Sequence, residues 1–147
     1  MDRRSWLKRV GSIGLLALVS PLRALAAAWN RPAFESQTVG GALKGLGIGQ
    51  AGPSRDIVLI APDMAENGAI VQVEVESRIP GTEAITILVD KNPTPLIANF
   101  VFSNGADPYV VTRIKMAESS ELKVIVKAGG QYFSAVKQVQ VAQGGCD

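Results

Sequence analysis

The residues best placed to do chemistry stand together at the end of the chain, in Gly144-Gly145-Cys146-Asp147. Cys146 is the only cysteine in 147 residues, so it can form no disulfide within the chain and build no thiolate metal site. What remains to it is the chemistry of an exposed lone thiol, which in an oxidising compartment forms mixed disulfides or dimers. The two glycines before it restrict the backbone less than any other residues would. Fully extended at ~3.3 Å per residue, the stretch beyond Val141 carries Cys146 roughly 15 Å past the last predicted strand. A thiol on such an arm can enter a deep pocket in another protein.

Other chemistries find few residues to carry them. The chain has no histidine, which removes the usual general base, the commonest zinc ligand and any Ser-His-Asp or Cys-His device. Asp63 and Glu66 flank the turn signal Asn67-Gly68 and read as solvated turn residues rather than an acid/base pair. The glycines of GLGIGQAGPS have neither a preceding strand nor the Gly-Lys-Ser/Thr of a phosphate loop, and their spacing does not fit a dinucleotide fingerprint. That stretch reads as a flexible connection. No cofactor and no activity of the chain's own are expected.

The elements that must position the thiol begin after an export signal. Residues 2–9 read DRRSWLKR, an apolar run follows from Val10 to Val19, and Ala24-Leu25-Ala26-Ala27-Ala28 supplies small residues for cleavage. The apolar run is shorter than the ~20 residues needed to span a bilayer, so residues 1–28 are expected to be a cleaved signal peptide. Arg3-Arg4 followed by Ser5-Trp6-Leu7-Lys8 resembles the twin-arginine export motif, which predicts a periplasmic protein with no membrane anchor. The signal also carries the chain's positive charge. It takes five basic residues (Arg3, Arg4, Lys8, Arg9, Arg23) and one acid (Asp2) from totals of 15 and 13, leaving 10 basic against 12 acidic side chains and a net charge of −2. Nothing in the mature part calls for nucleic acid or an anionic membrane.

From residue 36 to 46, SQTVGGALKGL predicts a short helix with Ser36 or Thr38 as N-cap and Val39, Leu43 and Leu46 at helical spacing. Beyond it the pattern is β: residues 57–61, 70–76, 84–90, 96–103, 109–115, 122–128 and 132–142 are apolar, β-branched or aromatic runs bounded by turn residues. Val71, Val73 and Val75 alternate with Gln72, Glu74 and Glu76, and Leu122, Val124 and Val126 alternate with Lys123, Ile125 and Lys127. Period two means one face buried and one wet, with Ile125 the exception that hints at a covered surface. Gly129-Gly130 predicts a tight hairpin before the last run. About seven short strands at ~10-residue spacing predict an all-β, immunoglobulin-like antiparallel sandwich with a short N-terminal helix and a flexible C-terminal arm. The expected organisation is signal peptide 1–28, helix and Gly-rich linker 29–54, sandwich 55–142 and carrier arm 143–147.

The export signal, the short helix, APDMAENGAIVQVEVES from Ala61, DKNPTPLIANFVFSNG from Asp90 and the terminal Gly-Gly-Cys, in that order, resemble the SoxY family of sulfur-carrier proteins of bacterial thiosulfate oxidation. The resemblance covers nearly all of the mature chain. It implies a periplasmic immunoglobulin-like subunit paired with a small β-sandwich partner, SoxZ, in which Cys146 is the covalent attachment point for sulfur intermediates. It implies that Gly144 and Gly145 are the hinge that lets the thiol reach successive active sites. The chemistry then belongs to partners: a c-type haem enzyme that conjugates thiosulfate to the cysteine oxidatively, a manganese-dependent hydrolase that releases sulfate, and a molybdenum enzyme that oxidises the remaining sulfane sulfur.

The family ends Gly-Gly-Cys-Gly-Gly, whereas this sequence reads Gly-Gly-Cys-Asp. Asp147 and a terminal carboxylate beside the sulfur are expected to disfavour the thiolate and to repel an anionic substrate. The competing expectation is a non-catalytic exported β-sandwich used for assembly, with Cys146 vestigial or forming an intermolecular disulfide.

Overall fold

The computed structural model describes residues 29–145. The signal peptide with Arg3 and Arg4, and Cys146 with Asp147, lie outside the described residues. Two short helices, α1 (Arg31–Phe34) and α2 (Val39–Gly45), precede the strands β1 (Gly52–Pro53), β2 (Ile57–Ile60), β3 (Met64–Asn67), β4 (Val71–Ser77), β5 (Thr82–Val89), β6 (Leu96–Val101), β7 (Tyr109–Ile114), β8 (Ser120–Ala128) and β9 (Gln131–Gln143). They form an immunoglobulin-like sandwich. One sheet runs β1-β9-β8-β5-β6, with β3 also paired to β9, and the other is β2-β4-β7.

Alternation along the strands builds the core between these sheets. Val71, Val73 and Val75 of β4 and Ile57, Val110 and Ile114 from its neighbours meet Ile85, Ile87 and Val89 of β5 and Leu122, Val124 and Val126 of β8, all buried. Each such side chain contributes about 1.5–3 kcal/mol by leaving water. The opposite residues of β4, Gln72, Glu74 and Glu76, lie on the sandwich's outer face, as the period-two pattern predicts.

Ile125, the apolar exception that hints at a covered surface, does lie under one. It is 2% exposed and packs with Leu88, Leu96, Ala33 and Ala42 in a second cluster on the far face of the larger sheet. The covering layer is the chain's own helical segment, not another subunit. Two helices stand where one was expected, because Asn30 caps the first and ties it to the second. Its Oδ1 accepts from the Ala33 N–H at 3.2 Å while its Nδ2 donates to the Gly45 carbonyl at 2.6 Å. Thr38 caps α2, and Val39, Leu43 and Leu46 pack on the sheet as their spacing predicts. The Gly-rich stretch read as a flexible connection is likewise docked: Ile48 and Ala51 pack on the same cluster, and the Tyr132 hydroxyl donates to the Gly47 carbonyl at 3.3 Å.

β9 is the strand that leads to the arm. The predicted hairpin is present, with Ala128 opposite Gln131 and both Gly129 and Gly130 at positive φ (56° and 74°), the backbone a two-residue I′ turn requires. β8 pairs antiparallel with β9 through Val139. β1 and β3 then pair parallel to it, β1 through Gly52↔Phe133 and β3 through Met64↔Gln140 to Asn67↔Gln143. These two strands are absent from the sequence pattern: one is a Gly-Pro pair, and the other, Met-Ala-Glu-Asn, ends in turn residues.

Candidate functional site

The strand that carries the arm is held to its last residue. Beyond the end of the β8 pairing, the Val141 N–H donates to Ser119 Oγ at 2.8 Å, and β3 takes over as neighbour through Asn67↔Gln143. The strand therefore ends at Gln143, with Gly144 and Gly145 as the described arm.

The glycines are docked in a crossing of three backbone segments. The Gly68 N–H donates to the Gln143 carbonyl at 2.7 Å, the Met116 N–H donates to the Gly68 carbonyl at 2.8 Å, and the Gly145 N–H donates to the Met116 carbonyl at 3.0 Å. The segments approach so closely that side chains have no room. A Cβ on Gly144 would collide with the Ala117 carbonyl oxygen, one on Gly145 with the Gly68 and Ala69 backbone, and one on Gly68 with the Met116 carbonyl oxygen. None of the three glycines has positive φ, so contact, not dihedral freedom, excludes other residues here.

Asn92 fixes the segment after β7 that receives the arm. It is 8% exposed, its Nδ2 donates to the Lys115 carbonyl at 2.8 Å and its Oδ1 accepts from the Ala117 N–H at 2.9 Å. Both ends of the Lys115-Met116-Ala117 backbone are thus clamped around the carbonyl that holds Gly145. On the other side, Asn67 Oδ1 accepts from the Ala69 N–H at 2.8 Å and shapes the turn that presents Gly68. Asn67-Gly68 and Asn92 come from the two sequence stretches AENG and KNP, whose turn residues gave no sign that they converge at the arm. A buried asparagine in a turn-forming tripeptide was the available signal.

The acidic pair Asp63 and Glu66 forms no catalytic arrangement. The Asp63 carboxylate, 94% exposed, meets Lys137 Nζ at 2.9 Å, a surface pair of small energetic weight. Among the described residues, no group of three or more acidic, histidine or cysteine side chains is arranged to hold a metal ion, and no helix is long and apolar enough to cross a membrane. A cleft of about 540 Å³ lined by Arg78, Pro80, Phe102 and Asn104 lies by Ser77, where β4 ends, whereas the arm docks beside Gly68 and Ala69, just before β4 begins.

Two surface features complete the electrostatics. Lys127 Nζ lies 2.8 Å from the Glu83 carboxylate, and this hydrogen bond and charge hold Glu83 below the usual carboxylate range and Lys127 above the usual lysine range. On the outer face of the smaller sheet, hydrogen bonding to Glu74 raises the pKa of Tyr109 above that of an ordinary tyrosine. Ile60, Tyr109 and Val111 are half exposed there, on the two edge strands that flank Glu74 and Glu76 of β4.

Known proteins resemble this chain along most of the described region. The family described as "Sulfur oxidation protein SoxY" matches residues 46–146, a stretch that ends on the cysteine itself. The solved sulfur carrier protein SoxY from Chlorobium limicola f thiosulfatophilum is 37% identical, with a TM-score of 0.61 over 67% of this chain and 90% of that one. A superoxide reductase (neelaredoxin) from Ignicoccus hospitalis is 19% identical, with a TM-score of 0.49 over 59% of this chain and 80% of that one. Among curated proteins none matches.

Proposed function

The chain belongs to the SoxY family of sulfur oxidation proteins, and on that premise we propose that it is a periplasmic carrier that holds sulfur intermediates covalently on Cys146. The observation that carries this reading is the sole cysteine standing one residue beyond a docked Gly-Gly pair, inside the matched stretch. The twin-arginine signal around Arg3 and Arg4 supports export to the periplasm.

The chemistry follows from a lone thiolate. Thiosulfate joins it through a new S–S bond, giving the cysteine S-thiosulfonate while a pair of electrons passes to a c-type haem of a partner enzyme. A manganese-dependent hydrolase would then cleave the terminal sulfonate with water, releasing sulfate and two protons and leaving a persulfide. A molybdenum enzyme would oxidise that outer sulfur to a sulfonate, three waters supplying the oxygens while six electrons and six protons pass to that enzyme's electron acceptor and to solvent. A second hydrolysis would release sulfate and return the free thiolate. The chain itself supplies the attachment atom and the means of presenting it, and the catalytic groups belong to the partners.

A SoxZ-like β-sandwich subunit is the natural structural partner. The half-exposed Ile60, Tyr109 and Val111 on the outer face of the smaller sheet offer it an apolar surface at open strand edges. The carrier reading and an assembly-only role separate cleanly in cells. Cys146→Ser in the native gene abolishes thiosulfate-dependent oxidation if the thiol carries sulfur, and normal oxidation with that variant would leave only a binding role.

A further inference from the structure

Glycine at 144 and 145 reads as freedom in the sequence, yet the described backbone uses both for close contact. The three segments that meet at the arm crowd around the Met116 carbonyl: Gly68 is glycine because a Cβ would strike it, and Gly145 donates to it at 3.0 Å. Asn92 holds that carbonyl in place through its bonds to Lys115 and Ala117. We propose that Gly68 and Asn92 are positioning residues for the arm, forming with Met116 and Ala117 a cradle in which Gly144-Gly145 docks and from which Cys146 is presented.

Covalent geometry supports the consequence. Consecutive Cα atoms lie about 3.8 Å apart, so while Gly145 is docked Cys146 stays within one residue of the cradle instead of roaming the full reach of a free arm. Reaching further requires breaking the Gly145–Met116 bond, and reaching furthest requires breaking the Gly68–Gln143 bond as well. The cradle thus sets a short reach when the arm is docked and longer ones as the two bonds are released. Its significance for sulfur transfer rests on the carrier reading, but its existence does not.

Amide hydrogen exchange on the complete folded protein, free of sulfur, tests the cradle. The amide at position 145 is expected to exchange on the order of tenfold more slowly than in an unstructured peptide, about what one net backbone hydrogen bond supplies. Gly68→Ala is expected to return it to the unstructured rate and to speed labelling of Cys146 by a bulky maleimide severalfold. The Val139 amide, inside the β8–β9 ladder, stays protected as the control for folding. Should Gly68→Ala disturb the β3–β4 turn, Gly144→Ala tests the same cradle from the arm, beyond the end of β9, and is expected to have the same effect. An unprotected amide at 145 in the wild-type protein, or protection that survives both substitutions, would overturn the proposal. Neither result bears on whether Cys146 carries sulfur, so the two readings fail separately.

Discussion

Replacing Asn92 by alanine removes the clamp under the arm, and its cost can be worked from the bonds it makes. The side chain is nearly buried and forms two hydrogen bonds, at 2.8 Å to the Lys115 carbonyl and 2.9 Å from the Ala117 N–H. Each is worth about 1 kcal/mol net, and a buried backbone group left unpaired costs about 1–3 kcal/mol. Water reaches part of the vacated site, so the total is about 2–4 kcal/mol. For a domain of this size about 4 °C of Tm corresponds to each kcal/mol, which gives a fall of roughly 8–16 °C. Urea unfolding should show the midpoint drop with the slope unchanged, since the folded core is the same. Asn92→Asp retains the acceptor for Ala117 but opposes a carboxylate to the Lys115 carbonyl, so it should fall at least as far. A shift under about 2 °C for Asn92→Ala would show that the Lys115–Ala117 backbone holds itself, and would refute the clamp.

Ile125→Ala, which opens a cavity beneath α1 and α2, should cost about 2–5 kcal/mol in urea unfolding, as for a core residue and unlike a surface one. Lys127→Met should raise the Glu83 pKa back toward the ordinary carboxylate value in an NMR titration, because the hydrogen bond and charge that lower it are gone. With the pair intact, Glu83 is charged and stabilising above its unfolded pKa of about 4.5, and that contribution fades as the pH falls through its lower folded value. Val111→Gln, on an exposed edge strand, should move stability by no more than about 0.5 kcal/mol yet weaken co-purification with the proposed SoxZ-like partner. Asp147→Gly should speed alkylation of Cys146 at neutral pH, since a neighbouring carboxylate disfavours the thiolate.

The sandwich was legible because its signal is local. Val71, Val73 and Val75 repeat every second residue, and Gly129-Gly130 specifies its turn through φ. β1 and β3 were illegible because nothing in Gly-Pro or Met-Ala-Glu-Asn calls for a strand; they exist because the backbone of β9 needs neighbours on its edge away from β8, near Phe133, and beyond the end of the β8 pairing, from Gln140 on. Ile125 was half legible: its alternation places it off the sandwich core and hints at a cover, and only the fold shows that the chain's own helices return to supply it.

The docking of the arm was not legible in the sequence. A lone cysteine after two glycines announces a presented thiol, but the partners of those glycines, Gly68 and Met116, lie far away in the chain. Hinge and docking are energetically compatible. A docked arm gains about 1 kcal/mol net per backbone hydrogen bond, which favours docking only modestly and lets a partner's pocket release it. A side chain at either glycine would remove the docked state and leave only the free one.

The central claim is that Cys146 holds sulfur. Intact mass and peptide mapping of the protein, purified from its native cells during growth on thiosulfate, test it most directly. Sulfur-containing adducts confined to the Cys146 peptide and lost on reduction are the predicted result. A thiol that stays unmodified, or is found only in a disulfide-linked dimer, would contradict it.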